Sequence, residues 1–253
     1  MKHSVKEHSL RAAVLMGGTL LSAQAAQANT TFTSSAALTY TINSITNLNG
    51  EHPNDLSGLE VTGSFEQPSD YLYVYTRGDG AVGSNDAGVL PFAVGSSFSH
   101  SFAVSGSALN GTVDSYHTGW FKLDFINNGA DSYAIDLTLA YQLDTEVNGL
   151  LANSHVALDY GYTGNDFVGT DHAEAFTFEG YSSDTNSVSG SSGLIFTLDS
   201  GASEIVYADA VITGNLESAS AIPVPAAVWF FASGLLGFTG LNRRNLHNDL
   251  NKI

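Results

Sequence analysis

The stretch SYAIDLTLAYQLD, residues 132–144, decides the fold class of this chain. Large apolar side chains occupy every odd position from Tyr133 to Leu143, while Ala, Asp, Thr and Gln occupy the even positions between them. Alternation with a period of two places the two sets on opposite faces of a β-strand. The stretch therefore predicts a strand with one face in an apolar core and the other towards water.

The residues just before this stretch repeat its pattern. WFKLDF, residues 120–125, places Phe121, Leu123 and Phe125 at odd positions, and INNGADS separates it from the first stretch. Asn-Gly pairs such as Asn128-Gly129 are typical of tight hairpins, because both residues tolerate positive φ. We therefore expect residues 120–125 and 133–144 to be antiparallel neighbours in one sheet.

The rest of the middle region also has the composition of short strands. Gly, Asn, Ser and Asp separate the segments, and no amphipathic helical pattern is present. SSDTNSVSGSSG, residues 182–193, has the composition of a flexible loop. These features predict an all-β fold over residues 29–221, an antiparallel β-sandwich that is jelly-roll-like. Further strands are expected at 36–47, 59–66, 71–76, 97–105, 154–162, 174–181, 193–199 and 204–216.

The charge of the middle region excludes several classes of partner. Only Arg77 and Lys122 of the eight basic residues lie within residues 29–221, against 23 of the 25 acidic residues, so the net charge there is −21. Nucleic acids and anionic membrane surfaces need clustered Lys and Arg, so neither is expected to bind this region. The chain has no cysteine, which excludes disulfides, zinc–thiolate sites and thiol enzymes.

The N-terminus has the order of features found in a secretory signal peptide. Lys2, Lys6 and Arg11 give a basic start, and residues 12–21 form an apolar core too short to span a bilayer. Small residues then follow in two A-x-A patterns. We expect residues 1–28 to be a signal peptide cleaved after Ala28, with cleavage after Ala25 as the alternative.

The C-terminal region, residues 222–253, contains an apolar span. Residues 222–241 carry no charge and are long enough to cross the hydrocarbon core as a single transmembrane helix. Arg243 and Arg244 follow, and positive charges favour the cytoplasmic side. Together with the signal peptide, this predicts a cytoplasmic-membrane anchor with residues 29–221 outside the cytoplasm.

The same region resembles a known sorting signal. The order of a Pro-Val-Pro-Ala motif, Trp229, a Ser-Gly-Leu-Leu-Gly run and a basic pair is similar to the VPLPA type of PEP-CTERM signal. The resemblance implies export in an exopolysaccharide-producing Gram-negative bacterium, processing of an anchored precursor by an exosortase, and a final place at the cell surface or in the extracellular matrix of a biofilm. The residues that carry it are Pro223, Val224, Pro225, Ala226, Arg243 and Arg244.

A candidate cation site lies in LDYGYTGNDFVGTDHAE, residues 158–174. Calcium prefers six to eight hard oxygen ligands, which this loop-rich run supplies, although its spacing matches no EF-hand loop. A solvated acidic loop is the alternative reading, and no other cofactor is expected. The candidate calcium ligands are Asp159, Asp166, Asp171 and Glu174.

The sequence carries no motif of a known catalytic site. G-x-S-x-G, H-E-x-x-H and P-loop patterns are missing, and GDGAVG at 78–83 leads into a loop composition instead of the helix that a dinucleotide site needs. We therefore expect no enzyme, but a surface or matrix protein associated with exopolysaccharide. The alternatives are a polysaccharide-active enzyme with two facing carboxylates, or a carbohydrate-binding module whose aromatic residues face outward. The aromatic candidates are Tyr71, Tyr73, Tyr75, Tyr160 and Tyr162.

Overall fold

The computed structural model describes residues 29–49, 53–87, 97–165 and 167–218. The predicted signal peptide with Ala28, and the whole predicted sorting region from Pro223 to Arg244, lie outside these residues. No helix in the described part of the chain is long and apolar enough to cross a membrane. The described residues all belong to the first of two units, residues 1–219 and 220–253.

The described residues are built from strands, with two short 3₁₀ turns at Ser69–Tyr71 and Thr163–Asn165 and no α-helix. The strands are β1 (Thr30–Asn47), β2 (Leu59–Glu66), β3 (Tyr73–Arg77), β4 (Ala81–Ala87), β5 (Ser97–Ala108), β6 (Thr112–Asn127), β7 (Tyr133–Asn148), β8 (Ala152–Tyr162), β9 (Gly169–Phe176), β10 (Ser183–Leu198) and β11 (Ser203–Glu217).

The strands form two antiparallel sheets. Sheet A has the order β10-β7-β1-β5-β4, and sheet B has the order β2-β6-β11-β8-β9 with β3 also paired to β6. Every strand pair in both sheets is antiparallel. The all-β, antiparallel prediction is therefore confirmed.

The two sheets pack face to face through the side chains that the alternation assigned to a core. Ile135, Leu137 and Leu139 of β7 are completely buried. Aromatic contacts cross from one sheet to the other, with ring centroids 5.7 Å apart for Phe65–Phe102 and 5.4 Å apart for Phe125–Phe196. The arrangement is sandwich-like, with one apolar layer between the sheets.

A buried set of hydroxyl groups also joins the sheets. The Ser34 hydroxyl of β1 donates to Thr145 Oγ1 of β7 at 2.7 Å and lies 2.6 Å from Ser154 Oγ of β8. Ser154 in turn donates to the Thr213 carbonyl at 2.8 Å. Because each hydroxyl has a partner, these three polar side chains occupy core positions without an unsatisfied group.

The predicted hairpin between residues 120–125 and 133–144 is wrong. β6 lies in sheet B and β7 in sheet A, so the loop between them crosses from one sheet to the other. Neither Asn128 nor Gly129 has positive φ, so the two-residue hairpin turn does not form. Instead, a Cβ at Gly129 would lie 2.7 Å from the Ser57 carbonyl, so glycine here permits a close backbone approach.

The predicted flexible loop at residues 182–193 is also wrong, because nearly all of it belongs to edge strand β10. Its backbone pairs with β7 along the whole strand, from Ser183–Asn148 to Leu198–Tyr133. Glycine is required at one point, since a Cβ at Gly190 would lie 2.3 Å from the Tyr141 hydroxyl. The small side chains of β10 give no strand signal in the sequence, and the strand is formed by backbone hydrogen bonds to β7. Strand β4 was missed for the same reason.

The position of β7 in the core gives a direct test of the alternation. Leu137→Asp places an unpaired carboxylate among apolar side chains, so it should abolish folding or cost more than about 4 kcal/mol in the free energy of unfolding. Thr138→Asp, on the outer face beside it, should cost far less. Urea denaturation followed by circular dichroism measures both, and equal losses would contradict a one-sided strand.

Candidate functional site

The outer face of sheet B carries a group of exposed aromatic side chains. Tyr73 of β3 lies directly opposite Tyr116 of β6, and Tyr75 follows two residues later on the same face. Tyr71, in the 3₁₀ turn before β3, contacts Trp120 of β6 with ring centroids 5.6 Å apart. Tyr71, Tyr73 and Tyr75 are 54%, 52% and 51% exposed. We call these five residues the aromatic face.

The alternation of β6 explains why Tyr116 and Trp120 point outward. Its odd-numbered residues, such as Phe121 and Leu123, are buried between the sheets. The even-numbered Tyr116 and Trp120 must then lie on the other face of the strand. A sequence signal for them existed, because extending the alternation of residues 120–125 back to Thr112 would have found both.

A lysine covers part of the Trp120 ring. Lys122 Nζ lies 4.7 Å from the ring centroid and 3.7 Å from Glu66 Oε2 on the neighbouring strand. The ion pair is partly exposed and contributes little to stability, but the cation–π contact favours one orientation of the indole ring. The Trp120 side chain is therefore restricted in its orientation by its neighbour on the same strand.

A shallow depression of about 290 Å³ lies beside Trp120 on the same face. Asp209 of β11 is directly opposite Trp120, and Asp159 of β8 is directly opposite Asp209 on the other side. Burial raises the pKa of Asp209 to about 6, an effect that Lys122 opposes and Asp159 reinforces. The depression thus combines apolar surface with one carboxylate, that of Asp209. It is lined by Trp120, Lys122, Thr163, Ile205, Tyr207 and Asp209.

The outer face of sheet A has a different character. In the part of the chain that the structure describes, no aromatic side chain lies on it, and its central strands present rows of small hydroxyl residues. Thr39 and Thr41 of β1 lie 2.9 Å from Ser99 and Ser97 of β5, hydroxyl to hydroxyl. The exposed aromatic residues on the sheet faces are therefore concentrated on sheet B.

The tyrosines proposed for a carbohydrate-binding module divide into two groups. Tyr71, Tyr73 and Tyr75 face outward as that alternative requires. Tyr160 and Tyr162 do not, because even-numbered residues of β8 point inward. Tyr160 contacts Tyr141 at 5.8 Å and Tyr162 stacks on Phe196 at 5.4 Å, so both belong to the packing between the sheets.

The structure separates the predicted calcium ligands that it describes. Asp159 and Glu174 lie on the outer face of sheet B, where Asn153 Nδ2 donates to Glu174 at 3.0 Å. Asp171 lies on the inner side of β9 and accepts a 2.8 Å hydrogen bond from the Tyr141 hydroxyl. The described residues contain no group of three or more metal-ligating side chains that could hold an ion. Asp166 lies outside them, so the four-residue site stays a prediction.

The raised pKa of Asp209 predicts a pH-dependent stability. The pKa of an unfolded aspartate is about 4. Between that pH and about pH 6, Asp209 is protonated in the folded state but ionised in the unfolded state. Folding is therefore penalised by ionisation above about pH 6 and not below about pH 4. Asp209→Asn should raise the melting temperature at pH 8 and change it much less at pH 4. Equal shifts at both pH values would show that the charge is not the cause.

Comparison with family models, with curated proteins and with solved structures finds no match to this chain. The resemblance of residues 223–244 to a PEP-CTERM signal therefore rests on the short motif alone. The geometry and chemistry of the aromatic face are therefore the features of the described chain that bear on its function.

Proposed function

We propose that this chain is an exported, non-enzymatic surface or matrix protein that binds polysaccharide through the aromatic face of sheet B. The observation that carries the proposal is a group of five aromatic side chains on the outer side of sheet B, of which four are exposed and Trp120 is half-buried. A cluster of exposed aromatic residues is a common sign of an interaction surface, whereas single exposed apolar residues are normal on any protein.

The aromatic face suits a chain of sugar rings. A pyranose ring presents a flat C–H surface that packs against Tyr and Trp rings, while its hydroxyl groups need acceptors and donors at the edge. Trp120 and Tyr71 supply the apolar surface, and the Asp209 carboxylate beside them supplies an acceptor. Tyr73, Tyr116 and Tyr75 extend the surface along β3 and β6, as an elongated ligand requires.

The charge of the domain restricts the kind of polysaccharide. Residues 29–221 carry a net charge of −21, and Asp209, Asp159 and Glu66 lie near Trp120 against one Lys122. A polyanionic glycan would be repelled at low ionic strength. The ligand class is therefore a neutral polysaccharide or one that carries amino sugars.

The strand connections favour a jelly roll within the sandwich-like architecture. From β5 to β11 the chain changes sheet at every connection except the β8–β9 hairpin. In this interpretation the N-terminal strand β1, between β7 and β5, takes the place of the last strand of the jelly roll. Jelly rolls include lectin domains, so the architecture supports glycan binding by analogy.

Export and anchoring belong to the same proposal and rest on the two ends of the sequence. The signal peptide ending at Ala28 would deliver residues 29–221 across the membrane, and residues 222–241 would hold them there. The resemblance around Pro223–Ala226 makes an exosortase the processing partner. The protein would then leave the cytoplasmic membrane for the cell surface or the extracellular matrix, where exopolysaccharide is its partner.

A polysaccharide-active enzyme is the second candidate, because Asp209 and Asp159 are neighbouring carboxyl groups beside the aromatic face. Glycosidases use two carboxyl groups, one of them with a raised pKa. Release of new reducing ends from a bound polysaccharide, lost in Asp209→Asn, would favour the enzyme over the binding protein.

Glycan binding can be tested with residues 29–221, because every buried apolar residue of the described core lies between Phe32 and Leu216. A glycan array should identify neutral or amino-sugar polymers as ligands. Trp120→Ala and Tyr73→Ala should each weaken the Kd at least about tenfold, the size of an aromatic hot spot.

The matched control is Ile195→Ala, a well-exposed apolar residue on β10 of the other sheet. It should leave the Kd unchanged, and melting curves should show that all three variants are folded. Equal affinities for the wild type, Trp120→Ala and Tyr73→Ala would overturn the assignment of the site.

The anchor has its own test by cell fractionation. The full-length chain should be found with the membranes, whereas a chain ending at Ala221 should be exported and soluble. Replacement of Arg243 and Arg244 by Glu should impair retention and processing, because positive charges determine the cytoplasmic end of the span. A truncated chain that stays with the membranes would contradict the anchor.

A further inference from the structure

Both termini of the described domain leave it at the same end. Thr30, at the start of β1, pairs with Ala108, the last residue of β5. Ser218, just after β11, donates its backbone N–H to the Gly111 carbonyl at 3.0 Å. The connections 109–111, 149–151 and 177–182 lie at this end as well, and we call it the turn end.

The turn end is unusually apolar for an exposed region. Five large apolar side chains there, which we call the apolar rim, are between 37% and 52% exposed. Phe178 and Tyr181 stack with ring centroids 5.5 Å apart. At the loops of the opposite end, the large apolar side chains exposed to this degree within the described residues are Leu48 and Phe167. The apolar rim consists of Leu109, Leu150, Leu151, Phe178 and Tyr181.

Leu151 occupies this position at a conformational cost. Its φ is +55°, and no other non-glycine residue of the described chain has a positive φ. Asn or Gly would adopt this left-handed conformation more easily than leucine. Its backbone carbonyl accepts a 3.0 Å hydrogen bond from the Glu217 N–H, which ties the rim to the last strand before the C-terminal region. An exposed leucine in such a conformation points to a use for its side chain.

We propose that the apolar rim lies in the interfacial layer of the lipid bilayer that residues 222–241 span. This inference rests on the anchor that is part of the proposed function. Only residues 219–221 separate Ser218 from the apolar span, a reach of at most about 14 Å for four extended steps. The turn end is therefore held close to the membrane surface, and its Leu, Phe and Tyr side chains are of the kinds that partition into that layer.

The charges at the turn end determine which type of lipid the apolar rim can contact and how deeply it can enter the bilayer. Glu179 lies between Phe178 and Tyr181, and Asp79 accepts hydrogen bonds from the Leu109 and Asn110 N–H groups at the neighbouring turn. Together with Glu217, these carboxylates outnumber Arg77, the basic residue of the described chain at this end, and so disfavour an anionic surface. The partner is therefore a zwitterionic bilayer. Glu179 stays hydrated among the headgroups, which limits the rim to the interfacial layer.

This contact would also position the aromatic face. Trp120 lies eight residues along β6 from Thr112, which is at the turn end, so it stands about 26 Å from that end. With the rim in the interface, the strands rise from the membrane and sheet B presents its aromatic face sideways. Polysaccharide outside the cell would reach it there before the anchor is processed.

The lack of cysteine in the chain allows a spin-label test at single introduced cysteines. The full-length chain is placed in phosphatidylcholine nanodiscs with a label at Leu151→Cys or Tyr181→Cys. The control is Ile195→Cys, about 40 Å from the turn end on β10. Phe231→Cys reports the anchor itself. Collision rates with oxygen, which enters lipid, and with a polar nickel chelate, which does not, are measured at each site.

We expect the oxygen-to-nickel ratio at 151 and 181 to exceed that at 195 several-fold. High nickel accessibility at both rim sites, with the label at 231 in lipid, would overturn this inference and leave the anchor intact. Low collision rates with both reagents at the rim would also overturn it, because another part of the chain or a second copy would then cover it. An aqueous label at 231 would instead reject the anchor. Leu150→Cys replaces Leu151→Cys if that variant does not fold.

Discussion

Burial of the odd-numbered side chains of β7 between two sheets is the constraint on which the rest of the structure depends. β7 pairs with β1 on one side and β10 on the other, so its register determines the position of both neighbours. A slip of one residue would move Leu137 and Leu139 into water and bring Asp136 into the core. The same alternation places Phe121 of β6 between the sheets, and Trp120, the residue before it, therefore lies on the outer face of sheet B.

The sequence was informative where alternation was strong and failed where side chains were small. Leu137 and Phe121 identified their strands and buried faces correctly. The chain reversal after Asn127 was also real, but turn composition does not say whether the next strand joins the same sheet or the facing one. Only the partners of β6 and β7, which are distant in sequence, decide that. The strand expected at 193–199 is the end of β10, but its first part was missed because Ser and Gly residues give no strand signal, and backbone pairing with β7 supplies its order.

The candidate site was predictable only where alternation along a strand shows which side chains face outward. Tyr73 was named from its position in a strand, and Trp120 follows from the parity of β6. Trp120 and Asp209 are adjacent because β6 pairs with β11, and no local sequence pattern specifies that pairing. Two of the proposed calcium ligands show that closeness in sequence does not specify the face of a sheet. Asp159 and Asp171 are close in sequence and both odd-numbered, but Leu158 pairs with Asp171, so the two carboxylates lie on opposite faces.

The acidic composition explains how the domain tolerates exposed apolar residues. A domain with a net charge of −21 has little tendency to aggregate, so it tolerates aromatic and leucine side chains on its surface. Many of them lie in two groups with different neighbours. The aromatic face has polar partners such as Asp209 beside it and lies along the strands, while the apolar rim lies at the end from which the chain leaves. With one apolar surface at the end of the strands and one along them, the proposed contacts with lipid and with polymer would not compete for the same side chains.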